Sequence, residues 1–249
     1  MDKKNRRKSI LEKVKTGGSV RVKELAEEFQ VSEMTIRRDL EYLEDKNEIL
    51  RTRGGAVSRS ETPFPRKRIR NMDKKRQIAD KARDFIASGQ TLILDAGTTT
   101  LALAQNIKFS QELTIITSDL NIAGELFSFA NITLYFAGGL IQTEVGSAIG
   151  PHAENFFDEF YVDLAFIGTS SLTEDFDLTT PTPEKAALKR KMIDSADRSF
   201  LLADHTKYRK KSVHRVCHLS SLDYFICDDE KPEFLEKRIA EEVPEIELN

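Results

Sequence analysis

From Thr91 to Cys227 the chain alternates short apolar runs with helix-forming stretches, and few folds can use that pattern. The runs are Thr91–Leu94, Leu113–Thr117, Thr133–Ala137, Leu164–Ile167, Phe200–Ala203 and Tyr224–Cys227. Between most of them lie amphipathic stretches: Leu101–Ile107, Ile122–Ala130, Glu184–Ala196 and, after the last run, Glu233–Glu241. Strands that are apolar throughout and separated by helices read as βαβ units, so the expected body is α/β, with a mainly parallel sheet covered on both faces. A further helix precedes it, with Ile78, Ala82, Phe85 and Ile86 on one face and Gly89 as its stop.

The first 58 residues follow a different period. Ile10, Leu11 and Val14 share a helical face that ends at Gly17-Gly18, and Leu25, Ala26 and Phe29 repeat it. Ser32 is suited to cap a third helix, in which Ile36, Leu40 and Leu43 face inward while Thr35, Arg37, Arg38 and Glu41 lie on or near the outer surface. Ile49 to Thr52, then Arg53-Gly54-Gly55, then Ala56-Val57 read as two strands about a glycine turn. Three helices and a β-hairpin make a winged helix-turn-helix. The expected organisation is a winged helix at 3–58, a proline-containing and basic linker at 59–72, and a larger α/β domain at 73–249.

Charge follows the same division. Residues 1–76 hold 22 Lys and Arg against 13 Asp and Glu, a net of +9, which leaves −12 for the remainder of a chain whose total is −3. A basic module joined to an acidic one implies that the first meets a polyanion. No run approaches the ~18 apolar residues of a membrane span, and the polar N-terminus leads into no signal segment, so the expectation is a cytoplasmic protein with no membrane partner. The only cysteines, Cys217 and Cys227, form no metal-spaced set; neither a metal nor a cofactor is expected.

Arginine on the first turns of a helix that enters the major groove can donate two hydrogen bonds to guanine, and threonine can meet a phosphate or a thymine methyl. That makes Ser32, Thr35, Arg37 and Arg38 candidate DNA contacts, with Arg51 and Arg53 on the wing and Arg6 and Arg7 at the N-terminus positioned for flanking phosphates. Asp39 would be repelled by phosphate and is expected in a local ion pair. Arg7-x3-Leu11, Val31-Ser32-x-x-Thr35-Ile36-Arg37-Arg38-Asp39-Leu40 and Arg53-Gly54-Gly55-Ala56 together resemble the DeoR family of bacterial regulators. The resemblance implies that Thr35, Arg37 and Arg38 face double-stranded operator DNA.

In the second domain, Asp95-Ala96-Gly97-Thr98-Thr99-Thr100 follows a strand and opens a helix, whose N-terminal amides can hold phosphate. Asp119, Asn121, Gly138 and Gly139 also follow strand ends, where open α/β sheets bind ligands. The resemblance continues through Gly150-Pro151, Ala165-Phe166-Ile167-Gly168, Glu184-x-Ala186-Ala187-x-Lys189 and Asp204-His205-Thr206-Lys207. It implies a sensor domain akin to the ribose-5-phosphate isomerase fold and a phosphorylated sugar as effector. Lys189 and Lys207 could pair with phosphate, and Asp95, Asp119, Asn121 and Asp204 could bond sugar hydroxyls. The segment departs from the family at Asp177, where a glycine is common, and at Ser170-Ser171. The expected function is therefore a repressor, homo-oligomeric because paired half-sites are read through protein symmetry, with no catalytic residues. The alternative is a sugar-phosphate isomerase or deaminase built from Glu184, Lys189, Asp204 and His205.

Overall fold

The carboxylate of Asp2 accepts the Asn5 amide at 2.9 Å and so starts α1 (Lys3–Gly17). Gly18, at φ +78, then turns the chain out in a conformation that a side chain would resist. There follow β1 (Ser19–Arg21), α2 (Val22–Phe29), α3 (Glu33–Asp45), β2 (Ile49–Thr52) and β3 (Gly55–Ser58). This computed structural model describes every residue except Met1, Asn47, Arg59, Ser60 and 108–111. Ser32 caps α3 by accepting the Thr35 amide at 3.2 Å, and Ile36, Leu40 and Leu43 turn inward onto Ile10, Val14 and Leu25. Full burial of one such side chain stabilises the head by about 1.5–3 kcal/mol.

The wing has one strand more than the sequence pattern suggested. β1 pairs antiparallel with β3, giving the order β1-β3-β2. Three residues, Ser-Val-Arg, are too few to show a period. Gly55 makes the pairing possible, since a Cβ there would stand 1.8 Å from the carbonyl oxygen of Val20. No side chain fits.

Residues 59–72 were expected to form an irregular linker, and much of that stretch is ordered structure instead. Phe64–Ile69 forms a short helix, α4, with Pro65 in its first turn, where the missing N–H has no helical partner to lose. No residue of α4 is buried, so no apolar period announced it. Its neighbourhood is tied to both sides: the Thr62 hydroxyl donates to Lys15 O at 3.0 Å, and the Phe64 amide donates to Glu144 O at 2.8 Å. After Asn71, in the left-handed region at φ +52, α5 (Met72–Arg83) begins.

The larger domain then runs β4 (Thr91–Leu94), α6 (Thr98–Ile107), β5 (Leu113–Thr117), α7 (Leu120–Leu126), β6 (Ile132–Phe136), β7 (Leu140–Gln142), β8 (Ser147–Ile149) and α8 (Pro151–Phe157). It continues with β9 (Val162–Gly168), β10 (Ser171–Leu172), β11 (Asp177–Thr180), α9 (Pro183–Asp194), β12 (Ala196–Leu202), β13 (His214–His218), β14 (Tyr224–Ile226), α10 (Glu233–Glu242) and β15 (Glu247–Leu248). Seven strands form one parallel sheet in the order β15-β14-β12-β9-β4-β5-β6. Leu92 and Leu94 point to the face covered by Ile78 and Leu103, while Ile93 between them points to the face covered by Leu188 and Met192. This is the two-residue period of a strand buried on both sides.

β4 sits centrally, and from it the chain builds outward through β5 and β6 in one direction and through β9, β12, β14 and β15 in the other. The strand order therefore reverses between β4 and β9. A crevice opens beyond the carboxyl ends of such strands. A second, antiparallel sheet, β10-β11-β13, lies beside it over a separate cluster that includes Phe176, Leu219 and Leu235.

Candidate functional site

The first turns of α3 are displayed to solvent, with Ser32 and Arg38 exposed and Thr35 and Arg37 half-buried. Arg37 reaches back 3.2 Å to Glu33, one turn earlier, an exposed pair that a stronger anion can displace at little cost. Met34 is 58% exposed on the same turn, an apolar tip suited to a thymine methyl that charge and capping arguments had passed over. Arg53 is exposed at the tip of the wing, and Arg51 lies 3.9–4.0 Å from Glu41 and Glu44.

Arg6 and Arg7 lie differently from the outward phosphate contacts expected of them. Asp39 is 1% exposed and accepts from the Nε of both arginines at 2.7 Å. Arg6 is itself buried, and Arg7 lies over the Tyr42 ring at 3.7 Å. A buried carboxylate requires cations beside it, and these two arginines bind α1 to α3.

At the switch point between β4 and β9 lies a cavity of about 470 Å³. Gly97, Thr98 and Thr99 at the start of α6 form one wall, and the first amides of a helix have no partner within it. Lys185 and Lys189, one turn apart on α9, add a second wall. Asp204 and Lys207, after β12, add a third. The remaining wall comes from the connection between the domains, through Glu61, Arg66, Lys67 and Arg70, and from Lys75 on α5. Gly18 and Ser58, at the base of the winged helix, also reach it.

Several residues expected to touch a ligand hold the cavity's shape instead. Asp95 accepts from Lys189 Nζ and, at 2.8 Å, from the Gly168 amide, so it stands behind Lys189. Lys189 also donates to Gly168 O at 2.9 Å, and its charge is largely answered. Asp119 accepts the Gly97 amide at 3.1 Å, Asn121 donates to Asp119 at 2.8 Å, and neither lines the cavity. Thr100 borders the cavity but is buried, and its hydroxyl donates to Gly97 O. Gly138 and Gly139 lie off the wall, with Gly139 at φ +135 packed toward Ile149 and Ala153.

The electrostatics of the cavity are unbalanced. Burial pushes the Glu61 carboxyl up, but Lys67 and Lys185 beside it more than reverse this and hold it at about 2. Burial pulls Lys67 and Lys75 down to about 8 each, with Lys185 repelling the first and Lys207 the second. Lys207 and Lys210 are lowered as well, by burial and by neighbouring cations. Eight Lys and Arg side chains share these walls with two carboxylates, Glu61 and Asp204. Such a surface carries a formal excess of cations.

Residues 6–62 match the family model of the DeoR-like helix-turn-helix domain, and residues 70–229 match that of the DeoR C-terminal sensor domain. The chain belongs to the DeoR family. This DeoR-family regulator is 34% identical over 227 residues to the HTH-type transcriptional regulator GlpR of Haloferax volcanii, covering 90% of this chain and 89% of the relative. It is 32% identical over 235 residues, 93% of each chain, to the glycerol-3-phosphate regulon repressor of Escherichia coli. Among solved structures, ribose 5-phosphate isomerase A of Methanocaldococcus jannaschii is similar at a TM-score of 0.42 and 17% identity, over 56% of each chain.

The DeoR-family chain is thus a DNA-binding transcriptional regulator, as its curated relatives are. Of the residues of the enzyme alternative, Lys189 and Asp204 share the cavity, but Glu184 is exposed on α9 and off its walls, and His205 pairs with Asp228 at 2.8 Å and does not line it. Among the described residues no helix is long and apolar enough to cross a membrane, and no cluster of His, Cys, Asp or Glu could hold a metal ion. Sequence reasoning missed Glu61, Arg66, Lys67, Arg70, Lys75, Lys185 and Lys210. The signals were the basic run Arg66-Lys67-Arg68 and the one-turn spacing of Lys185 from Lys189.

Proposed function

We propose that this regulator represses a carbohydrate-metabolism operon and leaves its operator when a phosphorylated sugar fills the cavity at the β4–β9 switch point. The observation that carries the reading is the cavity itself, whose cations and α6 amides outnumber its two carboxylates. Phosphate binds at helix N-termini and beside Lys and Arg because both supply charge-assisted donors. Asp204 and Thr169 on the walls could accept from sugar hydroxyls. The name of the Escherichia coli relative links that protein to a phosphorylated three-carbon polyol, which suits the same chemistry.

On the DNA side, Arg38 and Arg37 read bases, Ser32 and Thr35 meet phosphate at the cap of α3, and Arg51 and Arg53 hold the flanking backbone. The protein works in the cytoplasm as a homo-oligomer, since two heads are needed for two half-sites. Switching requires the sugar phosphate to bind the operator-free arrangement more tightly than the operator-bound one. Thermal unfolding with a panel of sugar phosphates tests the reading, because a ligand at 100 times its Kd adds about 2.7 kcal/mol of stability. The stabilising compound must also release operator DNA in a mobility assay. If none of the panel does either, the effector assignment fails.

A further inference from the structure

We propose that two copies of this chain join along the free edge of β6, strand against strand across a two-fold axis at Leu134, so that their parallel sheets become one. The inference rests on the reading of the protein as a homo-oligomer and names the surface that carries it.

Charged residues make up 32% of the chain, yet its longest stretch without one, Leu126 to Thr143, runs from the end of α7 through β6 and β7. Phe127 and Leu140 in that stretch are 74% and 72% exposed, and Tyr135 between them is exposed as well. The Tyr135 ring stands 5.3 Å from that of Phe160, whose neighbour Tyr161 is almost wholly exposed. Large apolar side chains left open in an uncharged surface mark an interaction site. The surface also contains a sheet edge, since β6 pairs with β5 on one side and, among the described residues, with no strand on the other. β8 is held beyond the end of β5, by the Ala148 amide donating to Ser118 O at 2.8 Å, and does not pair with β6. At the opposite end of the sheet β15 has two residues, one of them Glu247, and so short and charged an edge resists pairing.

The backbone of β6 shows what fits this edge. The Leu113 amide donates to Asn131 O and the Ala137 amide donates to Thr117 O, so the odd-numbered residues of β6 bond to β5. Ile132, Leu134 and Phe136 therefore turn their backbone groups outward. The Ile132 amide is used, donating to Phe129 O at 3.0 Å, whereas the amides of Leu134 and Phe136 have no partner among the described residues. A second β6, antiparallel and centred on Leu134, answers them. The two Leu134 residues exchange bonds, and each Phe136 amide meets the Ile132 carbonyl of the other copy. In that register the exposed Tyr135 lies opposite the exposed Thr133 of the second copy, an aromatic ring against a β-branched residue. A two-fold axis sets each residue near it against its own kind, so a charged edge would repel itself, and β6 carries no charge.

The test is cysteine cross-linking and sedimentation of the full-length protein. Pairing centred on Leu134 holds the two copies of that residue about 5.5 Å apart at Cα, inside the range of about 4.4–6.8 Å that a disulfide spans. Leu134→Cys should therefore give a covalent dimer under mild oxidation, above the background that Cys217 and Cys227 set in the parent. Ile132→Cys alone should not, because the two copies of that residue lie about 13 Å apart along the strands. Adding Phe136→Cys to the same chain should restore the cross-link. Tyr135→Lys, a change at an exposed position, should weaken self-association about tenfold or more while keeping the circular dichroism of the folded parent. Association of Tyr135→Lys as tight as the parent's, or no covalent dimer from Leu134→Cys, would overturn the proposal and leave the homo-oligomer reading to another surface. A parent that sediments as a monomer would overturn both.

Discussion

Replacing Glu61 with Gln removes the one carboxylate held between Lys67 and Lys185, and the structure fixes what this should cost. The Glu61 carboxyl falls from 4.5 to about 2 on folding, so at pH 7 its ionised form contributes about 3 kcal/mol, at 1.36 kcal/mol per unit. The side chain is 4% exposed, which leaves little room for solvent screening. The full pair contributes less than this figure, because Lys67 is held at about 8 and so pays for its own burial. Removing only the acid keeps that penalty and adds the repulsion between two lysines. A folded-state pKa below the unfolded value gives stability that is present above pH 4.5 and lost as pH falls toward 2. Urea unfolding of the parent and of Glu61→Gln should therefore differ by about 3 kcal/mol at pH 7 and by less than half of that near pH 3. Inorganic phosphate should stabilise the variant more than the parent, since it can take the vacated position. A difference below about 0.5 kcal/mol at pH 7, the size of an ordinary surface change, would refute the reasoning.

Three other outcomes can be checked directly. Lys67 and Lys75, each lowered by burial to about 8, should regain their protons when a phosphorylated ligand arrives, so titration at pH 8 in buffers of different ionisation enthalpy should report uptake of about one proton per chain, shrinking toward pH 7; release at pH 8 would contradict it. Arg38→Ala should weaken operator binding by about 1–3 kcal/mol and relax sequence preference, whereas Arg53→Ala should weaken specific and non-specific DNA alike, as fluorescence anisotropy on both kinds of site would show. Lys189→Ala leaves Asp95, 2% exposed, without its cation, and should lower the unfolding free energy of the larger domain by about 3–5 kcal/mol, with partial recovery on adding Asp95→Asn.

The parallel sheet was legible because strands buried on both faces need unbroken apolar runs, and all six such runs became strands of the one sheet. Ser32 and the glycine turn marked the recognition helix and the wing for similarly local reasons. Boundaries moved where two elements meet, as at Ala196, which was assigned to a helix and begins β12. β1, β7, β8 and α4 were missed because pieces of three to six residues carry no measurable period. The candidate site was half visible: residues following strand ends were found, but strand ends do not distinguish a side chain on the wall from one behind it. Asp119 and Thr100 turned inward to satisfy buried backbone groups, and Arg6 turned inward to satisfy Asp39. The connection's cations were visible as charge and were read as solvated, because nothing in a basic run says which cavity it will close.

That the connection closes the cavity has a consequence for how relatives can be recombined. A chimera joined after Ser58 takes every charged wall residue from the sensor parent, Glu61 through Lys75 included, and only Gly18 and Ser58 from the other. One joined after Asn71 takes Glu61, Lys67 and Arg70 from the parent that supplied the DNA-reading head, and Lys185, Lys207 and Lys210 from the other. The first graft should respond to the sensor parent's signal. The second should carry a mismatched binding site, and in evolution the segment from 59 to 71 should travel with the sensor.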